Sequence, residues 1–563
     1  MPSDMTAKPS ELNQALSELA PYFWCAFGFA MFSGFLIFAP TLYMFEVYER
    51  VVNSRSTTTL LMLTILVIMA YVVMEVSDWA RSETMRWAAM RFDQQLAQRV
   101  VDAIYTTQLR QPQGVVSQPM SDFKTLRDFF QNPVIGALME SPMALVFLLT
   151  LFAIHPYVGF FALVGGALQF GLTWLNERTT TPALMQANKT AIEAQKYAQN
   201  SLRNVEVMQA MGMQAVIQSR WSLKQLDFLA LQALASDRAA VFQSLTKLVQ
   251  TTMSSMLLGL GAYLTLENKL PGGAGTIIVA SVLGGRVTTP LVQAVSQWRA
   301  VVNARDAWQR LDRLLSQVPA VPAAMPLPAP RGTLTVDNLV AGPPGSNVPL
   351  VRGVNLRLEP GQVLAIIGPS ASGKTSLARL LSGLWPCMSG KVRLDGVDMH
   401  AWRKTELGPY VGYLPQDVEV LQGTVAENIA RFGDVDMGQV QEAARAVGLH
   451  EFIMKLPLSY DTDVARDGAA LSGGYRQRLG LARAFYGKPV FVVLDEPNAS
   501  LDEAGDAALL KAMEHFKALG TTIVVITHRS SVLSACDLVL LMREGTQQAF
   551  GPRDEVLSGL RAA

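Results

Sequence analysis

The sequence is poor in charged residues, and neither sign dominates. Only 17% of its 563 residues are charged, and 47 Lys and Arg against 46 Asp and Glu leave a formal net charge of +1. Soluble domains carry roughly 25% charged residues, so the deficit indicates a chain that enters a membrane. A surface that binds nucleic acid leaves a basic excess, so the balance argues against a nucleic-acid partner.

Cysteine is scarce as well. Cys25, Cys387 and Cys536 show neither disulfide pairing nor the spacing of metal ligands, so we interpret them as small buried thiols. Without a disulfide framework, the soluble part of the chain suits a reducing compartment. Residues 1–20 lack the basic segment, short apolar run and cleavage site of a signal peptide, and we expect none.

The sequence is rich in apolar residues, which make up half of the chain and give a mean hydropathy of +0.23. Most of the apolar segments approach the roughly 20 residues that span a bilayer. Buried helices of a large soluble protein are the alternative, but the first two segments are too long and too uncharged for that. We predict an all-α transmembrane domain of six helices, at residues 22–45, 58–76, 136–155, 157–175, 246–266 and 275–295.

The connections between these segments alternate in length. The long ones, at about 77–135 and 176–245, are rich in Lys and Arg, whereas the short ones carry few. The positive-inside rule therefore places the long connections and both termini in the cytoplasm. Stretches such as RWAAMRFDQQLAQRVVDAIYTTQL mix apolar and charged residues without Pro or Gly, which predicts that membrane helices extend into the cytoplasm.

A Pro- and Ala-rich stretch, typical of a semi-rigid linker, follows the last apolar segment. Beyond it, strand-like runs such as TLTVDNLV and FVVLDE alternate with helical patterns, which predicts an α/β domain. We therefore expect a cytoplasmic N-terminal segment, the transmembrane domain with its extensions, the linker and the α/β domain, at residues 1–21, 22–316, 317–332 and 333–563.

The stretch QVLAIIGPSASGKTSLARLL combines a buried strand, the pattern G-x-x-x-x-G-K-[ST] and a helix, which is the setting of a phosphate-binding loop. Its glycines let the backbone wrap a phosphate, and the helix start adds the positive end of its dipole. Lys374 should reach the β- and γ-phosphates, and Thr375 should hold Mg²⁺. The candidate nucleotide-binding residues are Gly368, Pro369, Ser370, Ala371, Ser372, Gly373, Lys374, Thr375 and Ser376.

Polar residues at the ends of other strands could complete this site. Five apolar residues lead into Asp495 and Glu496, which could hold the Mg²⁺ shell and activate water against the γ-phosphate. His528 ends the apolar run TTIVVITH, and Gln416 lies in GYLPQD. Taken singly, these residues also fit an acidic turn, a structural histidine and a loop amide.

Together these residues resemble the nucleotide-binding domain of ABC transporters, over about residues 334–556. The motifs that carry the resemblance, in order and spacing, are Gly368–Thr375, Gln416, LSGG at 471–474, Asp495-Glu496, Asp502 in NASLD, and His528. The resemblance implies an α/β P-loop ABC domain that binds ATP and Mg²⁺. It implies that Gln416 and His528 assist Glu496, that Thr375, Gln416 and Asp495 hold the metal, and that Asp502 borders the nucleotide.

The LSGG stretch has a specific consequence under this resemblance. Ser472, Gly473 and Gly474 would clamp the γ-phosphate of ATP bound by a second subunit. Because each motif occurs once and only six membrane segments are predicted, the chain resembles a half-transporter. A C2 homodimer is the simplest closure, and a heterodimer with a related chain is the alternative.

The sequence departs from the family pattern at three places. Tyr475 stands where Gln is usual after LSGG, and Ala371 stands where Gly is common in the phosphate loop. Ahead of the phosphate loop, VAGPPGSNV offers no aromatic residue to stack on adenine. How the base is recognised is therefore left open.

The membrane half resembles type I secretion transporters, most closely exporters of RTX-type proteases and lipases. The stretches that carry this are EVYERVVNSRSTTTL, NERTTTPAL, SLRNVEVMQAMGM and GGRVTTPLVQAVSQW, with FGPRDEVL and EPNASLD in the ATPase. The resemblance implies a multi-pass protein of the bacterial inner membrane and a secreted protein substrate with an uncleaved C-terminal signal. It also implies a periplasmic membrane-fusion adaptor and an outer-membrane tunnel of the TolC type.

Three readings of the function stay open from the sequence: a protein exporter, a lipid or small-molecule exporter, and an ATP-gated channel or regulator. The intact Lys374, Asp495, Glu496 and His528 favour real turnover. No room precedes residue 22 for an N-terminal peptidase domain, so we expect no leader cleavage. Arg286 is the one basic residue deep in an apolar segment. We expect it to line the substrate path, or else to snorkel to the headgroups.

Overall fold

A computed structural model describes residues 10–110, 117–202, 204–270, 273–319, 325–464 and 472–562. The chain divides near residue 321 into two compact units, called here the N-terminal unit and the C-terminal unit. Leu471 of the predicted LSGG motif and residues 320–324 of the predicted linker lie outside the described residues. So do residues 1–9 of the predicted N-terminal segment.

The N-terminal unit is helical throughout its described residues. Three of its helices are very long, with 54, 47 and 53 residues, and each joins an apolar segment to a stretch that mixes apolar and charged residues. The helices are α1 Glu11–Glu18, α2 Ala20–Leu36, α3 Phe38–Glu46, a π-helical turn Val47–Val51, α4 Val52–Ser54, α5 Thr57–Arg110, α6 Ser117–Phe129, α7 Pro133–Ile154, α8 Pro156–Leu202, α9 Val205–Ala210, α10 Gln214–Leu266, α11 Gly273–Ser296 and α12 Trp298–Gln317.

Five helical stretches of this unit are long and apolar enough to cross a membrane, counting only the described residues. They contain five of the six predicted segments. The remaining segment, 246–266, lies in α10, which is not among the five, since threonine, serine and glycine interrupt its apolar run. In the apolar window of α5, only 6% of the residues are buried by the protein itself. Such a surface is stable when lipid covers it.

One apolar cluster of the N-terminal unit contains stacked and edge-on aromatic rings. Phe92 of α5 is fully buried, and its ring centroid lies 5.5 Å from that of Phe123 and 5.1 Å from that of Phe130. The cluster gathers side chains from α1, α2, α5, α6, α7 and α12.

The three cysteines differ in how far they are buried. Cys536 is buried, but Cys25 is exposed among the apolar residues of α2, so the expectation of three buried thiols is wrong there.

The C-terminal unit alternates strands and helices, as its sequence pattern predicts. Its elements are β1 Leu334–Ala341, β2 Val351–Leu358, β3 Val363–Ile367, α13 Lys374–Leu381, β4 Ser389–Leu394, β5 Val397–Asp398, α14 Lys404–Leu407, β6 Val411–Leu414, α15 Val425–Ile429, α16 Met437–Ala446, α17 His450–Ile453, α18 Gly473–Phe485, β7 Phe491–Asp495, α19 Glu503–Ala518, β8 Thr522–Ile526, α20 Ser530–Ser534, β9 Leu538–Arg543, β10 Thr546–Pro552 and α21 Arg553–Ala562, with 3-10 turns Gly408–Tyr410 and Ser459–Asp461.

The described strands form a ten-stranded sheet in the order β5-β4-β1-β2-β10-β9-β3-β8-β7-β6. Strands β9, β3, β8, β7 and β6 run parallel to their neighbours in this part of the sheet, whereas β5, β4, β1 and β2 pair antiparallel. Apolar clusters cover both faces. Because the carboxyl ends of parallel strands share one edge, residues that follow β3, β6, β7 and β8 meet there.

Candidate nucleotide site

The phosphate loop begins where β3 ends, and its backbone needs glycine at two points. Gly368 has φ +151°, and a Cβ there would lie 2.1 Å from the carbonyl oxygen of Met542. Gly373 has φ +90° and precedes α13 directly. Ala371 also has a left-handed backbone, at φ +63°. Glycine adopts that conformation freely, whereas alanine is strained there, which explains why glycine is common at this position in the family pattern.

Lys374 is buried at the start of α13 and turns back over the loop. Its Nζ donates to the carbonyl oxygens of Gly368, at 2.9 Å, and Pro369, at 2.7 Å. Burial lowers the pKa of Lys374, while Glu496 and Asp495 act in the opposite direction. An ammonium held only by carbonyl oxygens is poorly compensated, so a phosphate would be a stronger partner for it.

Asp495 ends β7 beside Thr375. Its side chain is 0% exposed, and its Oδ1 lies 3.4 Å from the Thr375 hydroxyl. Its other oxygen, Oδ2, is buried without a hydrogen-bond partner. Burial raises the pKa of Asp495 to about 6. A buried, unpartnered carboxylate oxygen beside a hydroxyl fits Mg²⁺, which prefers oxygen ligands and keeps substrate phosphates and waters in its shell.

Glu496 follows Asp495 with a left-handed backbone of φ +49°, fixed by a hydrogen bond of 3.1 Å from its N–H to the carbonyl oxygen of Ile526. The amide of Gln416 donates to its Oε2 at 3.3 Å, and Nε2 of His528 lies 3.9 Å from its Oε1. Three strand ends thus hold one carboxylate between an amide and an imidazole. Glu496 can accept a proton from water, and Mg²⁺ would neutralise charge that develops on the phosphates.

A cavity of about 570 Å³ lies over the phosphate loop. At one end it is lined by every residue from Ser370 to Ser376, with Gln416 and Glu496. Gly368 and Pro369 present their carbonyl oxygens to Lys374 and are not in the lining. Its volume accommodates a ligand larger than a phosphate chain, as expected for a nucleotide.

The lining of this cavity also contains residues outside the phosphate loop that the sequence patterns did not indicate. Pro349, Leu350, Arg352, Glu544 and Gly545 line it. Leu350 is 44% exposed, so its side chain is accessible to a ligand. Their place in the sequence could have indicated them. Pro349 and Leu350 immediately precede β2 and follow the stretch that lacks an aromatic residue to stack on adenine.

The residues after the LSGG stretch start helix α18. Ser472 is its N-cap, but its side chain makes no capping hydrogen bond, so the first N–H groups of this 13-residue helix keep their capacity to bind an anion. Neither Ser472 nor Gly473 and Gly474 line the cavity of their own chain. Gln477, a residue the motif analysis did not single out, donates to the carbonyl oxygens of Glu496, at 3.3 Å, and Pro497, at 3.1 Å.

Three further positions from the sequence analysis are placed as follows. Tyr475 stacks on Phe452, with ring centroids 3.4 Å apart, so its aromatic ring serves packing. Asp502 caps α19 through the N–H of Gly505 and pairs with Arg478, and it is not in the cavity lining. Arg286 lies exposed in the middle of α11.

Comparisons with known proteins agree with this geometry. The family profile described as ABC transporter matches residues 351–499, and the one described as ABC transporter transmembrane region matches residues 10–287. PrsD, a type I secretion system ATP-binding protein of Rhizobium meliloti, is 38% identical over 92% of this chain and 89% of its own. LktB, a leukotoxin translocation ATP-binding protein of Bibersteinia trehalosi, is 26% identical over 92% of this chain and 73% of its own.

Among solved structures, a bacterial Atm1-family ABC exporter with ATP bound aligns with a TM-score of 0.83 over 97% of both chains, at 20% identity. The chain belongs to the ABC transporters, with a transmembrane region and an ATPase fused in one polypeptide. It is therefore a multi-pass membrane protein that couples ATP hydrolysis to transport. The predicted fold class and the predicted resemblance to this family are confirmed.

Proposed function

We propose that this protein is the motor of a type I secretion system, which exports a protein through the bacterial inner membrane. The observation that carries the proposal is the similarity to PrsD, at 38% identity, because it extends over both the membrane and the ATPase halves. A shared ATPase alone would support only a shared energy source. LktB, whose name describes leukotoxin translocation, matches over the same share of the chain.

The proposed working unit is a homodimer. The cavity that holds the phosphate loop is not lined by Ser472, Gly473 or Gly474 of the same chain, although their helix start is suited to an anion. We propose that these residues, with Asp502, close the nucleotide site of a second copy. ATP would then hold the two C-terminal units together, and hydrolysis by Glu496 would release them. Such closure is a ligand-driven population shift.

The arrangement in the cell follows from the charge pattern. The basic stretches of α5, α8 and α10 favour a cytoplasmic position for the C-terminal unit. We propose a periplasmic membrane-fusion adaptor and an outer-membrane tunnel of the TolC type as partners, and a substrate with an uncleaved C-terminal signal. Mg²⁺ and ATP are the proposed ligands of Thr375, Gln416, Asp495 and the phosphate loop.

The proposed substrate path includes Arg286. It is exposed midway along α11, and it makes no hydrogen bond or ion pair within the described part of the chain. A charge at this depth is stable when it faces a cavity or a partner. Arg286→Ala should lower the export rate while leaving basal ATP hydrolysis unchanged, and export at the wild-type rate would remove Arg286 from the path.

The experiment that tests the function compares secreted proteins without assuming a substrate. Cells that carry the wild-type chain, Glu496→Gln or Glu514→Gln are grown in parallel, and their media are analysed by protein mass spectrometry. Glu514 is exposed on α19 and does not line the nucleotide cavity, so it is the matched control. We expect one or a few proteins to vanish from the medium and accumulate in the Glu496→Gln cells only. An unchanged medium would point to lipid or small-molecule export instead.

A further inference from the structure

The N-terminal unit contains an apolar cavity that the transport cycle described above does not use. It has a volume of about 350 Å³, is open on one side, and is lined by side chains of α1, α2, α5, α6, α7 and α12. Phe23, Phe92, Phe129, Phe130 and Trp308 form much of its wall. Water finds almost no polar partner on such a lining, so an apolar group is the better occupant.

The cavity lies where apolar helices begin. Phe23 is in the first turn of α2, and Ile135 is in the first turn of α7. Each is followed by one of the stretches long and apolar enough to cross a membrane. Trp308 contributes from α12, the amphipathic helix that follows the last such stretch. Trp308, which has a polar edge, favours a position at a membrane–water interface. The first turns of α2 and α7 place the cavity at the ends of apolar helices, where the basic connections begin.

One charged residue borders the cavity among its described lining. Arg305 is exposed, and the described residues offer it neither a hydrogen bond nor an ion pair. Its neighbours on α12 are engaged elsewhere, because Arg310 pairs with Asp122 at 2.7 Å and Asp306 accepts from Asn188 at 3.4 Å. An unpaired guanidinium beside an apolar cavity suits a ligand with an anionic head and an apolar tail.

We propose that this cavity binds one acyl chain of an anionic phospholipid, with the phosphate group on Arg305. The bilayer supplies that ligand at the level where the cavity lies, and anionic headgroups collect at basic pockets between helices on the cytoplasmic face. The site joins α12, which leads out of the membrane region, to α2 and α7. A bound lipid would therefore stabilise one packing of these helices. The proposal depends on membrane insertion and not on the identity of the exported substrate.

The test uses the full-length protein in nanodiscs of phosphatidylcholine that contain a small fraction of a photoactivatable lipid. The probe carries a diazirine in its acyl chain and has either a phosphatidylglycerol or a phosphatidylcholine headgroup. After illumination, labelled peptides are mapped by mass spectrometry. We expect phosphatidylglycerol to label the peptides that contain Phe129 and Trp308 several-fold more than phosphatidylcholine does.

Two variants separate the head and tail contributions. Arg305→Gln should lower labelling by phosphatidylglycerol to the level of phosphatidylcholine. Ala304→Phe places a ring into the cavity and should lower labelling by both probes. Arg313→Gln, an exposed arginine two turns further along α12 that does not line the cavity, should label like the wild type. If Ala304→Phe does not fold, Ile135→Trp is the second variant. Ile135 is half-buried and lines the same cavity, so the larger ring should fill it.

The outcomes decide the proposal. Equal labelling by both headgroups, or labelling unaffected by either filled cavity, would overturn it. Labelling that disappears only when an exported polypeptide is engaged would assign the cavity to apolar side chains of that polypeptide. Loss of labelling on pairing with a second copy would assign it to the dimer interface. None of these results depends on which protein the secretion experiment finds in the medium.

Discussion

The two units treat their apolar residues in opposite ways. In the C-terminal unit, every residue of β7 and β8 is buried, and Phe491 is 0% exposed. In the N-terminal unit, α5 leaves Leu66 56% exposed along a window of which only 6% is buried. The C-terminal unit covers its apolar surface with protein on both faces of a sheet. The N-terminal unit leaves its apolar surface to lipid, in which exposed apolar side chains are stable.

The difference extends to where the chemistry lies. In the C-terminal unit, a rigid buried sheet fixes Asp495 and Glu496 at one strand end and the phosphate loop at another. Preorganised positions of this kind are needed for catalysis. In the N-terminal unit, Arg286 and Arg305 are exposed on single helices. We therefore expect substitutions to act through local chemistry in one unit and through lipid or partner contacts in the other.

The largest effect is expected at Glu496. Glu496→Gln removes the proton acceptor but keeps the size of the side chain and its contact with Gln416. The rate of ATP hydrolysis should fall by about 10²–10⁴-fold, the range typical of a general base, while ATP is still bound. Steady-state hydrolysis and equilibrium nucleotide binding by the purified full-length protein measure the two effects. Hydrolysis at the wild-type rate would show that another group is the base.

A pair of truncations tests the comparison of burial directly. Phe491→Ala should destabilise the C-terminal unit by about 3–5 kcal/mol, because it leaves a cavity in a packed sheet. Leu66→Ala should change stability far less, because lipid is as apolar as the leucine it replaces. Thermal unfolding of the full-length variants in nanodiscs measures both. A similar loss in Leu66→Ala would show that protein, from a second copy, covers that face of α5.

The sequence indicated the phosphate-loop part of the candidate site but not the rest of the cavity lining. Phosphate contacts depend on backbone shape, so the glycines at 368 and 373 and the adjacent Lys374 appear as a fixed local pattern. Gln477 was missed because its contact with the backbone of Glu496 joins a helix to a distant strand. Pro349 and Leu350 were missed because apolar walls have no spacing that distinguishes them from ordinary loop residues. The predicted segment 246–266 is helical, as part of α10, but its interrupted apolar run leaves α10 out of the helices apolar enough to cross a membrane. Predicting a helix is therefore not the same as predicting a membrane span.

A smaller effect tests how strongly the ammonium of Lys404 is desolvated. The residue as a whole is exposed on α14, but its Nζ lies beside Gly383 and donates to the carbonyl oxygen of Met399 at 2.6 Å. Desolvation there lowers the pKa of Lys404 to about 8 against the attraction of Asp398. Between pH 8 and the ordinary value of 10.5, the unfolded chain binds a proton that the folded chain has released. Stability contributed by this group therefore rises with pH in that window.

Lys404→Met removes the titrating group. The melting temperature of the variant minus that of the wild type should decrease by a few degrees from pH 7.5 to pH 10, since about 1 kcal/mol shifts the midpoint by about 2–4 °C in a domain of this size. Lys391→Met, at an exposed position of β4, should show a constant difference. A constant difference for Lys404→Met as well would mean that water reaches its ammonium in the folded state.

The smallest expected effect is at Arg352, because the sequence left open how the base is recognised. Arg352 lies in the lining of the nucleotide cavity beside Leu350, on a strand end tied by a hydrogen bond of 2.7 Å from its N–H to the carbonyl oxygen of Gly545. A guanidinium can stack on a purine, and such contacts contribute about 0.5–2 kcal/mol. Arg352→Ala should therefore weaken ATP binding about two- to thirtyfold.

Inorganic triphosphate distinguishes a base contact from a phosphate contact, because it lacks the base. Arg352→Ala should leave triphosphate binding unchanged, whereas Lys374→Ala should weaken binding of ATP and triphosphate alike. Arg357→Ala is the matched control, since Arg357 is an exposed arginine of β2 that pairs with Glu359 at 2.7 Å and does not line the cavity. Equal losses for both ligands in Arg352→Ala would place its guanidinium on the phosphates and leave the apolar wall of Pro349 and Leu350 to hold the base alone.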